Sequence, residues 1–284
     1  MRRKMYFLGA PALDADRLRT VLAWYQACCS HFEVALHPEL QQQLGLGHGA
    51  SEDWARGVDL VLSFGGDGTM LQAVQTLLGS NVPILGVNLG RLGFLSNASA
   101  QEREAILRQL VEQTYTVQDR DLLELRRSDS DQSHFALNEV TMQKRDSSSM
   151  IAIDVWVNNN WLNTYWADGI IVATPTGSTA YSLSCAGPLI SPDAQVLCIT
   201  PMAAHNLTVR PMVLPLQNLL HLQVRGRIQQ YMLSIDNQTF FLPADVSLTV
   251  QPSAVKARFV VLEGEHFFST LRAKLHWGLD KRTE

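Results

Sequence analysis

Cysteine is scarce, charge is scarce, and no long apolar run crosses the 284 residues. The four cysteines, Cys28, Cys29, Cys185 and Cys198, form no CxxC pair and have no histidine near them at metal-ligand spacing. That argues against a zinc site and a disulfide framework, and a reducing cytoplasm is the expected compartment. No window approaches the roughly 18 apolar residues that span a bilayer. The basic start MRRK leads into an apolar stretch, Met5 to Ala10, that is too short for a secretory signal and runs into Asp14 and Asp16. Positive charge is in no excess: 23 Lys and Arg stand against 27 Asp and Glu. Neither nucleic acid nor a membrane is therefore an expected partner. Charged residues make up 18% and apolar residues 46%, a globular composition with length for one large domain or two modest ones.

What is present is a regular alternation. Met5–Leu8, Phe32–Leu36, Val58–Ser63 and Val82–Val87 read as strands. Residues 14–29 read as a helix with Leu18, Val21, Leu22, Tyr25 and Cys28/Cys29 on one face, and residues 68–79 as another with Met70, Leu71, Val74, Leu77 and Leu78. Ser99 with Glu102 predicts a capping box for a helix carrying Ile106, Leu107, Leu110 and Val111. Gln43–Gly57 is a polar, glycine-rich loop. Strands alternating with helices predict a doubly wound parallel α/β domain over 1–118. Beyond it the alternation becomes two-residue, over 121–127, 134–142 and 150–157, with Asn158-Asn159-Asn160 as a turn between antiparallel strands. A helix is expected at 178–186, strands at 196–200, 218–225, 230–235, 246–250 and 257–262, and a last helix at Phe267–Trp277. This predicts a mainly antiparallel, β-rich domain over 119–254 and a segment 255–284 that returns to the first.

The stretch LVLSFGGDGTM, Leu60 to Met70, sets a carboxylate among three glycines where a strand ends and a helix starts. Free amides and the helix dipole favour an anion at such a junction, and glycine lets a phosphate approach the main chain. Gly65, Gly66, Gly68 and Thr69 are the candidate phosphate-binding residues. No lysine follows, so this is not a Walker loop, and it is not GxGxxG. The plain alternative is that Asp67 only caps the helix, for about 1 kcal/mol. Three glycines are a poor way to make a cap, which favours Asp67 as a base toward an attacking hydroxyl, or as support for magnesium near phosphates. That chemistry belongs to a kinase.

Asn88–Asn97, NLGRLGFLSN, follows the next strand at its carboxyl end, where open α/β sheets bind ligands. Phe94 offers a stacking face there and Arg91 a phosphate contact, against the alternative of an ordinary loop. Asn138-Glu139 interrupts the apolar strand FALNEVTM, and adjacent residues point to opposite faces. A ribose would satisfy an amide and a carboxylate; a partly exposed edge strand would as well. In Asp168–Pro188, DGIIVATPTGSTAYSLSCAGP, the hydroxyls of Thr174, Thr176, Ser178 and Thr179 gather at one helix start. Tyr181 can stack on a base while its hydroxyl stays wet. HNLTVRP (His205–Pro211) and DNQ (Asp236–Gln238) are polar punctuation in apolar surroundings.

GGDGT, NLGRLGF, NE, DGIIVATPTGSTAYSLS and HxxxxRP, in this order, resemble the bacterial-type NAD kinases. The resemblance spans residues 65–238 and implies transfer of the γ-phosphoryl group of ATP, or of polyphosphate in some members, to the 2′-hydroxyl of the adenosine ribose of NAD. It implies Asp67 as general base, Gly68 and the Asn138–Glu139 pair lining the dinucleotide, and Phe94 near the adenine. Asp168 and the run Thr179, Ala180, Tyr181, Ser182, Leu183 and Ser184 would wrap the adenosine half, and Gln238 would close that pocket. It further implies a divalent metal ion, Mg2+, with no protein ligand set assigned, and a homodimer or homotetramer. Relatives often carry Arg or His where this chain has Trp166, a position bearing on NAD against NADH. The usual GGP reads Ala186-Gly187-Pro188, and DGQ reads Asp236-Asn237-Gln238.

Three other readings remain. A lipid or sugar kinase could use the same GGDGT turn, but it leaves TPTGSTAY and NE unexplained. A non-catalytic dinucleotide sensor would be expected to have lost Asp67. A dehydrogenase would need GxGxxG.

Overall fold

The computed structural model describes residues 2–46, 57–145, 150–226 and 228–276. The chain divides into two compact units, Met1–Asp119 with Ala257–Glu284, and Arg120–Lys256. In the first, β1 (Lys4–Gly9), α1 (Ala15–Cys29), β2 (Glu33–Leu36), α2 (Pro38–Gln43), β3 (Leu60–Gly65), α3 (Asp67–Thr76), β4 (Ile84–Asn88), β5 (Ala98–Ser99) and α4 (Arg103–Glu112) follow one another. The strands lie parallel in the order β2-β1-β3-β4, and β5 adds to β4. The order reverses between β1 and β3, so this is a doubly wound sheet whose switch point lies beside the carboxyl end of β3. Its strands read as continuous apolar runs because helices cover them: Phe7, Phe64, Leu62, Leu85 and Val87 are all buried.

The first helix rotates away from the expected face. Val21, Trp24 and Cys28 are its buried residues, while Leu18, Leu22 and Tyr25 are only half-buried. Trp24 can occupy the core because its indole N–H donates to the Ala100 carbonyl at 3.2 Å. The capping box predicted from Ser99 and Glu102 does not form. Ser99 Oγ donates to Gln101 Oε1, and a 3-10 turn, Ala100–Glu102, makes Glu102 itself the residue before α4. Ile106 and Leu110 are buried there, but Val111 is exposed. Of the loop expected over Gln43–Gly57, residues 47–56 lie outside the described residues.

The second unit contains β6 (Thr116–Arg127, which begins in the first), β7 (Ser133–Ala136), β8 (Glu139–Lys144), β9 (Ile151–Val157), β10 (Asn160–Ala167), β11 (Gly169–Ala173), α5 (Tyr181–Ser184), β12 (Val196–Met202), β13 (Met212–Pro215), β14 (Leu220–Arg225), β15 (Gln230–Ile235) and β16 (Gln238–Pro243). The long β17 (Leu248–Val261) leads the chain back to the first unit, where Phe259 pairs with Ile84 and α6 (Phe267–Leu275) follows. One antiparallel sheet runs β13-β12-β11-β8-β15-β16. A second antiparallel set joins β10, β9, β14 and the first part of β17. Alternate residues of both, such as Ile153, Val155 and Leu222 from one and Val140, Ile170 and Leu233 from the other, share a single core.

Several sequence expectations change here. FALNEVTM is two strands, broken at Leu137-Asn138. The helix expected at 178–186 is a 3-10 turn, Thr176–Thr179, followed by the four-residue α5; hydroxyls that bond to nearby backbone compete with a regular helix. The stretches 246–250 and 257–262 belong to one strand, which passes through Pro252 with a local irregularity where the Val255 N–H donates to Ser253 Oγ at 2.9 Å. β13 and β16 were not anticipated. Trp277 lies outside the described residues, and α6 ends at Leu275.

Candidate functional site

Each unit builds its own cluster of site residues. In the first, β3 delivers Gly65 and Gly66 to the start of α3, and Gly66, in extended conformation, is the N-cap. Asp67 is the first helical residue and its side chain makes no capping bond, so the capping alternative does not describe this chain. The carboxylate instead turns toward the loop after β4. Oδ1 accepts from the backbone N–H of Leu95 at 3.0 Å and of Ser96 at 3.1 Å, and Oδ2 from that of Phe94 at 2.9 Å. Three amides thus fix both oxygens, while Oδ2, with one backbone donor, retains an acceptor position.

The loop can hold a carboxylate because it is itself held. Asn88 Nδ2 donates to the carbonyls of Ser96 (3.1 Å) and Arg91, Asn88 Oδ1 accepts from Gly90 N–H at 2.6 Å, and Gly93 N–H donates to Ser96 O at 3.0 Å. Gly93 has no alternative there: a Cβ would stand 1.9 Å from Asp67 Oδ1. At Gly66 and Gly68, by contrast, a Cβ would meet nothing within 4 Å. Open space therefore lies beside Gly66 and Gly68, where α3 starts; the Thr69 N–H donates to Gly66 O at 3.0 Å, and the amides before it have no acceptor within the helix. Phe94 is half-buried, and the ammonium of Lys274 on α6 stands 4.7 Å from its ring centroid and 3.8 Å from Asp67 Oδ2. Sequence reading missed Lys274, since nothing local links a residue on the last helix to a turn after the third strand.

In the second unit one acid organises the rest. The carboxylate of Asp236, in the β15–β16 turn, accepts from the N–H groups of Leu137 (2.8 Å), Asn138 (2.8 Å) and Glu139 (3.1 Å). These bonds replace ladder partners and break the strand at Asn138. β8 is interior to its sheet, which removes the edge-strand alternative. Glu139 is 8% exposed and its Oε2 has no hydrogen-bond partner. Burial first, then the charge of Asp236, pushes its carboxyl up to about 8, against a bond from Tyr181 N–H that pulls it down. Burial likewise raises Asp236, against its three amide bonds.

The TPTGSTAY segment packs directly on this pair. Asn138 O accepts from Thr174 N–H at 2.9 Å, and a Cβ on Gly177 would stand 2.1 Å from the same oxygen. The hydroxyls expected to face a ligand serve the scaffold instead. Thr174 Oγ1 donates to Leu137 O at 2.5 Å, Ser178 Oγ to Ile190 O at 3.2 Å, Thr179 Oγ1 to Thr176 O at 3.1 Å, and Ser182 Oγ pairs with Thr200 Oγ1 at 2.9 Å. Tyr181 keeps 41% of its surface exposed, Ser184 is exposed, and Ala180 and Leu183 are half-buried. Asp168 pairs with Lys144 Nζ at 2.6 Å, and Gln238, exposed, opens β16 opposite Ile235. The His205 N–H donates to Trp166 O, 39 positions earlier, at 2.9 Å, while Arg210 NH1 bonds locally to Val209 O at 2.8 Å. Trp166 is 55% exposed on β10. Asp236 was legible only as polar punctuation.

A carboxylate fixed by main-chain amides beside an open glycine turn, on a doubly wound sheet, is the equipment of a phosphoryl-transfer enzyme. The family model described as the ATP-NAD kinase N-terminal domain matches residues 37–115, and that of the ATP-NAD kinase C-terminal domain matches residues 137–262. The chain is 44% identical over 228 residues to a NAD kinase of Flavobacterium johnsoniae, covering 79% of this chain and 78% of the relative. To a NAD kinase of Bacteroides fragilis it is 43% identical over 226 residues, covering 79% and 78%. The crystal structure of a NAD kinase from Archaeoglobus fulgidus in complex with ATP superposes with a TM-score of 0.75 at 26% identity, covering 97% of this chain and 99% of that one. Yeast NADH kinase complexed with NADH gives a TM-score of 0.89 at 22% identity, covering 100% and 90%, a likeness of fold alone. The chain belongs to the ATP-NAD kinase family.

Proposed function

We propose that this protein transfers the γ-phosphoryl group of ATP to the 2′-hydroxyl of the adenosine ribose of NAD, giving NADP and ADP. The observation that carries the reading is the Asp67 carboxylate, locked by three amides with an acceptor position left on Oδ2. In the proposed step, the 2′-O–H proton passes to Asp67 as the oxygen bonds to the γ-phosphorus and the bond to the β,γ-bridging oxygen breaks. Holding the base in place is worth about 10²–10⁴-fold. Gly66 and Gly68 present main chain to phosphate, with Gly65 and Thr69 packed on each other beneath them, and Phe94 gives an apolar face beside it. Asn138 and Glu139 take the ribose hydroxyls; a neutral Glu139 both donates and accepts, which suits a diol. Tyr181, with Asp168, Ala180, Leu183 and Ser184, receives the adenosine on a turn that Thr179 and Ser182 brace from within, and Gln238 closes that side.

Magnesium, cytoplasmic action and a homodimer or homotetramer belong to the same proposal. No group of three or more His, Cys, Asp or Glu suited to a metal occurs among the described residues. The ion would be carried by phosphate oxygens and water, which leaves the open position on Asp67 to the ribose proton. When bound, the ion supplies charge neutralisation at the phosphates. The four cysteines are free, as a reducing compartment would leave them, and no helix among the described residues is long and apolar enough to cross a membrane. Exposed Trp161, Trp166, Val213 and Phe241 offer apolar surface to a second copy.

Incubation with ATP, magnesium and NAD is expected to yield NADP. The NAD analogue lacking the 2′-hydroxyl on its adenosine ribose is expected to accept no phosphoryl group. Equal phosphorylation of that analogue would refute the assignment. NADH offered in parallel reports on Trp166.

A further inference from the structure

The phosphate turn lacks the lysine that phosphate-binding loops often carry just after their glycines, yet a polyphosphate brings several negative charges to be neutralised. Among the described residues, one cation stands within ion-pair distance of Asp67, and it comes from the far end of the chain. Lys274 lies in the last turn of α6, 207 positions after Asp67 in sequence, and its Nζ is 3.8 Å from Oδ2. That separation is too long for a hydrogen bond, so the ammonium is near the carboxylate without being consumed by it. The ring of Phe94, 4.7 Å from Nζ at the centroid, holds it from another side. Phe94 is also the residue whose N–H fixes Oδ2. Carboxylate, ring and ammonium therefore form one assembly in a single unit of the protein. The lysine side chain is 29% exposed and that of Asp67 33%, so neither is sealed from solvent.

We infer that Lys274 is a catalytic residue, the cation that donates to a non-bridging oxygen of the transferring γ-phosphoryl group. This rests on the proposed phosphoryl transfer. A lysine in this role neutralises charge on the phosphates while a neighbouring acid handles the nucleophile. Its position beside Oδ2 puts the cation near the oxygen that receives the proton, and so near the phosphoryl group that the attacking hydroxyl approaches. Were Lys274 only a strut for α6, the ammonium would be expected in a close bond to a carbonyl or carboxylate.

The test compares wild type, Lys274→Met and Lys274→Arg in NADP formation from ATP and NAD, with thermal melting and NAD binding measured on each. Lys274→Met keeps the apolar stem and removes the charge. The expected result is a fall in kcat of about 10²–10³-fold, the scale of losing one electrostatic contact to the transition state, with NAD affinity and melting temperature within error. Lys274→Arg is expected to recover part of the rate, and a small alkylammonium ion added to Lys274→Ala to raise its rate in proportion to concentration. A Lys274→Met rate within about threefold of an active wild type, or a loss that follows a fall in melting temperature and is rescued by neither Arg nor amine, overturns the role of Lys274 and leaves the kinase reading intact. A wild type that makes no NADP overturns both.

Discussion

Glu139 shows how a single side chain can carry information about function that its neighbours do not. It sits at 8% exposure with Oε2 unpartnered, and ionising a carboxyl buried with one oxygen unmatched is expensive. The chain has moved its titration to about 8 instead of removing it, through burial and the nearby Asp236. The folded value lies above the unfolded value of 4.5. The resulting stability is present in full below the unfolded value and is lost as pH rises through the folded one. Glu139→Gln, neutral at every pH, removes that loss. Its melting temperature relative to wild type is expected to be higher near pH 9 than near about pH 5. A difference that does not change with pH would mean that Glu139 titrates normally. Ala186 is a second telling residue: it takes φ +61, a left-handed conformation, where the family pattern places glycine.

At the scale of elements, the loop after β4 matters more than its lack of regular structure suggests. Asn88 staples it, and its amides aim at Asp67 on the next helix back in sequence. Gly93→Ala would set a methyl group 1.9 Å from Asp67 Oδ1 and force the carboxylate or the loop to move. A displacement of about 1 Å can cost on the order of 10²-fold in rate, so kcat is expected to fall by at least about tenfold with NAD binding retained. Unchanged kcat would show that the amide clamp is dispensable. Local elements were legible where local physics decides them. The apolar run into GGDGT gave β3 and α3, and Asn158-Asn159 gave the β9–β10 turn, with both residues at positive φ. What was not legible depends on partners distant in sequence. The break at Leu137-Asn138 is made by Asp236 about a hundred residues later, and the hydroxyls of Thr174 and Ser178 find acceptors at Leu137 and Ile190. No periodicity records such bonds. The glycine turn with Asp67, Phe94, Asn138-Glu139 and Tyr181 were legible from residue chemistry and the other site residues from motif resemblance, whereas Lys274 needed the fold.

At the scale of the whole molecule, each of two units with different architectures carries its own cluster of the proposed site residues. The parallel α/β unit supplies a carboxylate, open main-chain amides and a cation, which suit phosphate and its transfer. The β-rich unit supplies a buried amide–carboxyl pair and an exposed tyrosine, which suit a nucleoside. The order of these elements along the chain is that of the ATP-NAD kinase domains matched over residues 37–115 and 137–262. The central claim is that Asp67 removes the proton from the ribose hydroxyl. Its most direct test is single-turnover transfer from γ-labelled ATP to saturating NAD by wild type and Asp67→Asn, with NAD affinity measured in parallel. The account predicts label in the 2′-phosphate of NADP, formed about 10²–10⁴-fold more slowly by Asp67→Asn at undiminished NAD affinity. Equal transfer rates in the two proteins would contradict it.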